Sequence, residues 1–184
     1  MTHTSRARWL LPLGLVAVPA LHVAYAAQYM TVSQAQRIAF AQADEFVPFT
    51  PARADLDAAS AMVPESALAG WSPQVWQARK GGQTLGWLLV DQVIGKSEAI
   101  TYALALDVHG QVTALDVLEY RETHGSEIRL PAWRRQFVGK TAHDPLRLDA
   151  DIKNISGATL SCRHVTDGVR RLLALSERAL RAGR

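Results

Sequence analysis

Between Gln74 and Tyr120 the hydrophobic positions repeat with the period of strands. Residues 74–80 form a short segment closed by Gly81-Gly82, a dipeptide suited to a tight hairpin turn. Residues 85–94 are strongly apolar, and the unbroken run Trp87-Leu88-Leu89-Val90 predicts a central strand covered on both faces. Gly95-Lys96-Ser97 makes the next turn. Ile100, Tyr102, Leu104 and Leu106 then alternate with Ala99, Thr101, Ala103 and Ala105. One face of that strand is bulky, and the other leaves room for a layer against the sheet, which a helix or a ligand could fill. Asp107-Val108-His109-Gly110 turns the chain once more, and residues 112–120 return. Consecutive strands joined by short turns make an antiparallel meander.

The flanks have the period of helices. Val165, Val169, Leu172, Leu173 and Leu180 fall on one face, with Arg163, Arg170, Arg171 and Glu177 elsewhere. This predicts a helix beginning near Leu160 or Ser161. Upstream, Val32, Ala35, Ile38, Ala39 and Gln42 predict a helix over residues 31–46, capped by Thr31 or Ser33. Pro48 and Pro51 break the chain there, and the Ala- and Asp-rich stretch to residue 69 reads as a connector. A polar run, Arg121 to Arg129, follows the last strand. Pro131 suits the first turn of a short helix over residues 132–138, which Gly139-Lys140 ends. The fold class is α+β, an antiparallel meander flanked by helices.

The N-terminus changes the picture of where the chain works. Arg6 and Arg8 precede an uncharged apolar run over residues 9–23, and Ala24-Tyr25-Ala26 supplies the small residues of a peptidase site. Either a cleaved signal peptide or a retained single anchor fits, and either places the rest outside the cytoplasm. The expected division is residues 1–26 as signal or anchor, 27–70 as an N-terminal helix and connector, and 71–184 as the functional domain.

Composition adds exclusions. A hydrophobic fraction of 48% with 20% charged residues is that of a globular chain. Two of the three excess positive charges belong to Arg6 and Arg8, so the basic pI does not argue for nucleic acid. The remaining excess sits at Arg163, Arg170, Arg171, Arg178, Arg181 and Arg184, and reads first as a solvated helix face. Cys162 is the only cysteine, so no internal disulfide forms. A packing role is favoured for it, although a place in the first helical turn would lower its pKa. Ser156 and His164 lack a nucleophile elbow and an orienting acid, which argues against a serine hydrolase. His3, His22, His109, His124, His143 and His164 show no metal-ligand spacing. No dinucleotide or Walker loop is present, so direct NADH binding is not expected.

The chemistry concentrates at residues 151–175. Asn154, Ser156, Gly157 and Thr159 are turn formers, and they feed a helix N-terminus, where free N–H groups and the helix dipole favour a phosphate. Ser156-Gly157-Ala158-Thr159, followed by Leu160-Ser161 and a helix, resembles the flavinylation motif of the FMN-binding domain family. Components of the sodium-pumping NADH:quinone oxidoreductase and of the Rnf electron-transfer complex belong to that family. A second motif supports the resemblance: Tyr120-Arg121-Glu122-Thr123-His124-Gly125, then Trp133, Gln136-Phe137 and Gly139-Lys140. The likeness runs from about residue 76 to 173.

The resemblance implies FMN attached to Thr159 through a phosphoester bond made by a flavin transferase that uses FAD. It implies that Ser156, Gly157, Ala158, Thr159, Leu160 and Ser161 hold the phosphate. It implies that Glu122, Thr123, His124 and Gly125 close over the ring, with Trp133 approaching it. One position departs: the family carries an acidic residue three places before the Ser, where this chain has Lys153. Asp151, two residues further upstream, is the nearest substitute. The expected function is an exported flavoprotein that relays electrons in a cell-envelope redox chain, with membrane-bound redox proteins as partners. Lys153 keeps open a second class, a flavin-free envelope binding or assembly module of the same fold.

Overall fold

The computed structural model describes residues 27–63 and 70–180. The signal or anchor segment, part of the connector, and Arg181 and Arg184 lie outside the described residues. In chain order the elements are β1 (Ala27–Gln28), α1 (Val32–Ala39), β2 (Glu45–Phe49), α2 (Arg53–Ala61), β3 (Gln74–Lys80), β4 (Gln83–Ile94), β5 (Ala99–Asp107), β6 (Val112–Tyr120), α3 (Pro131–Arg134) and α4 (Thr159–Leu175). Single 3-10 turns flank α3, and a π-helical turn, Ser176–Leu180, extends α4.

The four meander strands lie where the pattern places them, and the sheet is antiparallel throughout, in the order β1-β6-β5-β4-β3-β2. Leu88, Leu89, Val90 and Asp91 are buried in succession, so the middle strand is covered on both sides. The small-residue face of β5 is covered by a helix: Ala35 of α1 packs with Ala103, Ala105, Leu88 and Leu118. Thr31 caps α1 through a reciprocal box with Gln34.

Two expectations for residues 31–69 are corrected. The helix stops at Ala39, not residue 46, because Glu45–Phe49 pairs with β3 as an edge strand. Pro48 is tolerated there, since an edge strand does not need every N–H. The stretch read as a connector holds α2, whose Leu56 and Ala59 are buried in the main core. Alanine is a strong helix former, and that signal outweighed the prolines before it.

On the opposite face from α1, α4 lies across β4 and β5. Gly168 makes the close approach possible, because a Cβ there would stand 2.2 Å from the Tyr102 hydroxyl. One turn on, Arg171 is fully buried, which corrects its assignment to a solvated face. Its guanidinium lies 2.9 Å from Asp91 Oδ2 and 4.6 Å from the centre of the Trp71 ring. Tyr102 donates to the same Asp91 oxygen at 2.8 Å, and Trp71 Nε1 donates to Oδ1 at 2.8 Å. Burial foremost, with the Asp91 charge beside it, pushes the Tyr102 phenol well above its ordinary pKa.

Candidate functional site

Helix α4 begins at Thr159, slightly earlier than its apolar period indicates. Ala158 is the N-cap residue and has no polar side chain to cap with. The first intrahelical bond is Cys162 N–H to the Ala158 carbonyl, so the N–H groups of residues 159–161 precede the helical ladder. Gly157 just before has φ 86°, a conformation L residues rarely adopt, and a Cβ there would meet open space. The turn itself, and not crowding, calls for glycine.

This helix end forms one wall of a cleft of about 500 Å³. Gly157, Ala158, Thr159, Leu160 and Ser161 line it from the helix side. Glu122, Thr123 and His124 line it from the loop after β6, and Lys96 and Ser97 from the turn between β4 and β5. Leu160 is 41% exposed at this site, an apolar contact beside polar groups.

Three sets of bonds fix the walls to one another. Tyr120, the last residue of β6, donates its hydroxyl to the His124 carbonyl at 2.5 Å and lies 3.0 Å from Ser161 Oγ. Gly125 sits against this junction: a Cβ there would stand 2.7 Å from the Tyr120 hydroxyl and 3.1 Å from the Ala158 Cβ. Glu122 Oε1 accepts from the backbone N–H groups of Ser97 at 2.5 Å and Glu98 at 2.8 Å. His164 of α4 presents Nδ1 to the carbonyls of Ile94 and Gly95 at 2.5 and 2.9 Å. The turn carrying Lys96 is therefore held from the loop and from the helix. Desolvation on its own would raise the Glu122 pKa, but the N–H groups of residues 96–98 and the Lys96 charge outweigh it and hold the carboxyl below its ordinary value.

Thr159 Oγ1 accepts a hydrogen bond from Asn154 Nδ2 at 3.1 Å. Asn154 in turn accepts from the Ile155 N–H at 2.8 Å. Cys162 is buried, and burial raises its pKa, the reverse of the effect expected from its place in the first turn.

The Ser-Gly-Ala-Thr loop thus meets Glu122, Thr123 and His124 at one cleft, but Gly125, which packs behind it, and Ser156, Trp133 and Asp151 do not line it. Ser156 is exposed on the loop and is not among the lining residues. Trp133 does not reach the cleft. It lines a separate groove of about 440 Å³ with Leu130, Gln136 and Ile155, stacks edge-on with Phe137, and donates Nε1 to the Lys153 carbonyl at 2.9 Å. Its indole needed a partner for that N–H, and the backbone ahead of the motif supplied one. Asp151 is also committed elsewhere: it accepts from Lys140 at 2.8 Å and from the N–H groups of Leu146 and Arg147 at 3.2 and 2.8 Å.

Lys96 and Ser97 line the cleft and Asn154 bonds to Thr159, and none of the three had a signal of its own in the sequence. The first two read as an ordinary hairpin turn, and the third as a turn former.

Comparison with known proteins bears on the fold and the family. Residues 95–174 match the FMN-binding domain. A component of the ion-translocating oxidoreductase complex of Yersinia pestis is 30% identical over 140 residues, covering 69% of this chain and 67% of that protein. Its counterpart from Cronobacter sakazakii is 29% identical over 129 residues, covering 64% of this chain and 62% of that one. The chain thus spans about two thirds of the length of these relatives. The crystal structure of Shewanella oneidensis NqrC superposes with a TM-score of 0.51 at 15% identity, over 73% of this chain and 80% of that one, which is a likeness of fold. These similarities, on the antiparallel meander described above, make the chain a member of the FMN-binding domain family.

Proposed function

We propose that this protein is an exported flavoprotein that carries FMN covalently on Thr159 and relays electrons within a cell-envelope redox chain. The observation that carries the reading is the cleft itself, where an uncapped helix N-terminus and a lysine face the loop of the second motif. Its volume lies in the usual range for small-molecule sites. The residues present suit an FMN. The N–H groups of residues 159–161 and the helix dipole favour a phosphate, and Lys96 adds a positive charge. Thr123, His124 and Ser97 offer polar contacts, and Leu160 an apolar one. The flavin supplies one- and two-electron redox chemistry when bound. The chain's own residues orient it and set the charge around it.

Helix-terminus attraction is worth about 0.3–1 kcal/mol at an exposed site. That positions a phosphate but does not retain a cofactor outside the cytoplasm, which is why a covalent link fits the export signal at residues 1–26. A flavin transferase using FAD is the partner that forms the link, and membrane-bound redox proteins are the partners for electrons. The relatives' place in an ion-translocating oxidoreductase complex supports that second assignment. Among the described residues no helix is long and apolar enough to cross a membrane.

The test is intact-mass measurement of the full chain coexpressed with a flavin transferase. The expected outcome is one added FMN on the wild type, none on Thr159→Ala with its fold unchanged, and partial addition on Thr159→Ser. FMN on Thr159→Ala would move the attachment to Ser156 or Ser161. A second reading, a flavin-free envelope module, is favoured by one observation: Lys153 is exposed at the motif, and Asp151, the nearest substitute in sequence, is bonded elsewhere. A wild type that never gains the FMN mass selects it.

A further inference from the structure

Asn154 stands two residues before the Ser-Gly-Ala-Thr motif, and its side chain reaches forward to the threonine. Its amide orientation is fixed by a neighbour. The Ile155 N–H points at one amide atom from 2.8 Å, so that atom is the oxygen. The nitrogen therefore faces Thr159 Oγ1, 3.1 Å away, and donates to it. A flipped amide would set two donors against each other at Ile155. Thr159 thus accepts from Asn154, and its own hydroxyl proton cannot point there. The side chain is held in place with its reactive oxygen bonded and its proton directed elsewhere.

We propose that Asn154 is a positioning residue for covalent attachment at Thr159, its amide orienting the oxygen that forms the phosphoester and leaving the hydroxyl proton free to be removed. The inference rests on the reading of Thr159 as the attachment residue. In the reaction, Thr159 Oγ attacks the FMN phosphorus of FAD. The Oγ–P bond forms, the anhydride P–O bond breaks, AMP leaves with that electron pair, and the hydroxyl proton passes to a base on the transferase. Nothing is oxidised or reduced. A donor to Oγ stabilises the negative charge that grows there as the proton departs, and it fixes a rotamer the transferase would otherwise have to select.

Asn154 has a second role, accepting from Ile155, and a pair of substitutions separates the two. Asn154→Ala removes both bonds. Asn154→Asp keeps the acceptor for Ile155 and removes only the donor to Thr159. The experiment measures FMN addition to the full chain by intact mass, with purified transferase and FAD, across substrate concentrations at low and high salt. Both variants are expected to lower kcat roughly two- to tenfold, the worth of one neutral hydrogen bond, with KM for the protein unchanged. The deficit of Asn154→Asp should persist at high salt, which screens plain charge repulsion. An Asn154→Asp variant that reacts at the wild-type rate, a deficit confined to KM, or one that salt abolishes overturns the proposal. A wild type that takes up no FMN overturns the attachment reading, and the positioning role with it. A wild type that is flavinylated while both variants match it overturns the positioning role alone.

Discussion

Lys96 is a positive charge whose place depends on two residues distant in sequence. Glu122 holds the N–H groups of its turn and His164 approaches the carbonyls before it. A cation beside a flavin favours the more negative, reduced form. Lys96→Gln is therefore expected to lower the midpoint potential of the loaded protein, and Lys96→Arg to preserve it. A unit charge a few ångströms away in a water-like setting is worth about 1 kcal/mol, on the order of 40 mV for a one-electron couple. Spectroelectrochemical titration reads the shift, and an unchanged potential in Lys96→Gln removes the charge from any tuning role. Glu122→Ala frees the same turn, so its effect and that of Lys96→Gln should not add. The place of Thr159 at the cleft was legible in the sequence because its motif is contiguous and local. Lys96 and Asn154 were not, because what makes them part of the site is a side-chain bond or a clamp that no spacing encodes. Trp133 misled for the opposite reason: an aromatic near a motif looks like a stacking surface until its N–H is seen to serve the backbone.

Helix α4 carries the site at one end and a buried charge near the other. Its apolar face was plain from Val165, Val169, Leu172 and Leu173, but Arg171 sits among them with Asp91, Tyr102 and Trp71 around it. Period alone assigns arginine to solvent, and only the acid on a neighbouring strand reverses the assignment. Removing one partner of such a pair leaves the other charge uncompensated, at a cost of about 3–5 kcal/mol. Asp91→Ala and Arg171→Ala should each lower the denaturant midpoint sharply. The double replacement Asp91→Leu with Arg171→Met should recover part of the loss, since the Tyr102 hydroxyl and the Trp71 N–H remain without their acceptor. Chemical denaturation followed by tryptophan fluorescence tests this, and single variants as stable as wild type would contradict it. The meander strands were legible because alternation and turn residues agreed at every step. Strand β2 was not, because Pro48 is a breaker everywhere except at an edge.

At the scale of the molecule, three layers share one sheet: α1 on one face, the strands, then α2 with α4. The long excursion from Lys140 to Lys153 is tied down by Leu146 and Ile152 in the core and by the bonds of Asp151. Partial burial would raise the Asp151 pKa, but Lys140 and the N–H groups of Arg147 and Leu146 outweigh it and lower the value. A carboxyl depressed by folding stabilises the fold above its ordinary pKa, and that contribution is lost as pH falls through the folded value. Asp151→Asn should therefore be less stable than wild type near neutrality, with the gap closing in acid. Thermal melts across pH measure it, and a gap constant with pH would show that the charge plays no part. The pairing of Ala27 with Tyr120 has its own consequence. The strands run antiparallel, so Ala27 lies at the same end of β6 that feeds the cleft. A chain cut before Ala27 would set its new ammonium group at the threshold of that same opening.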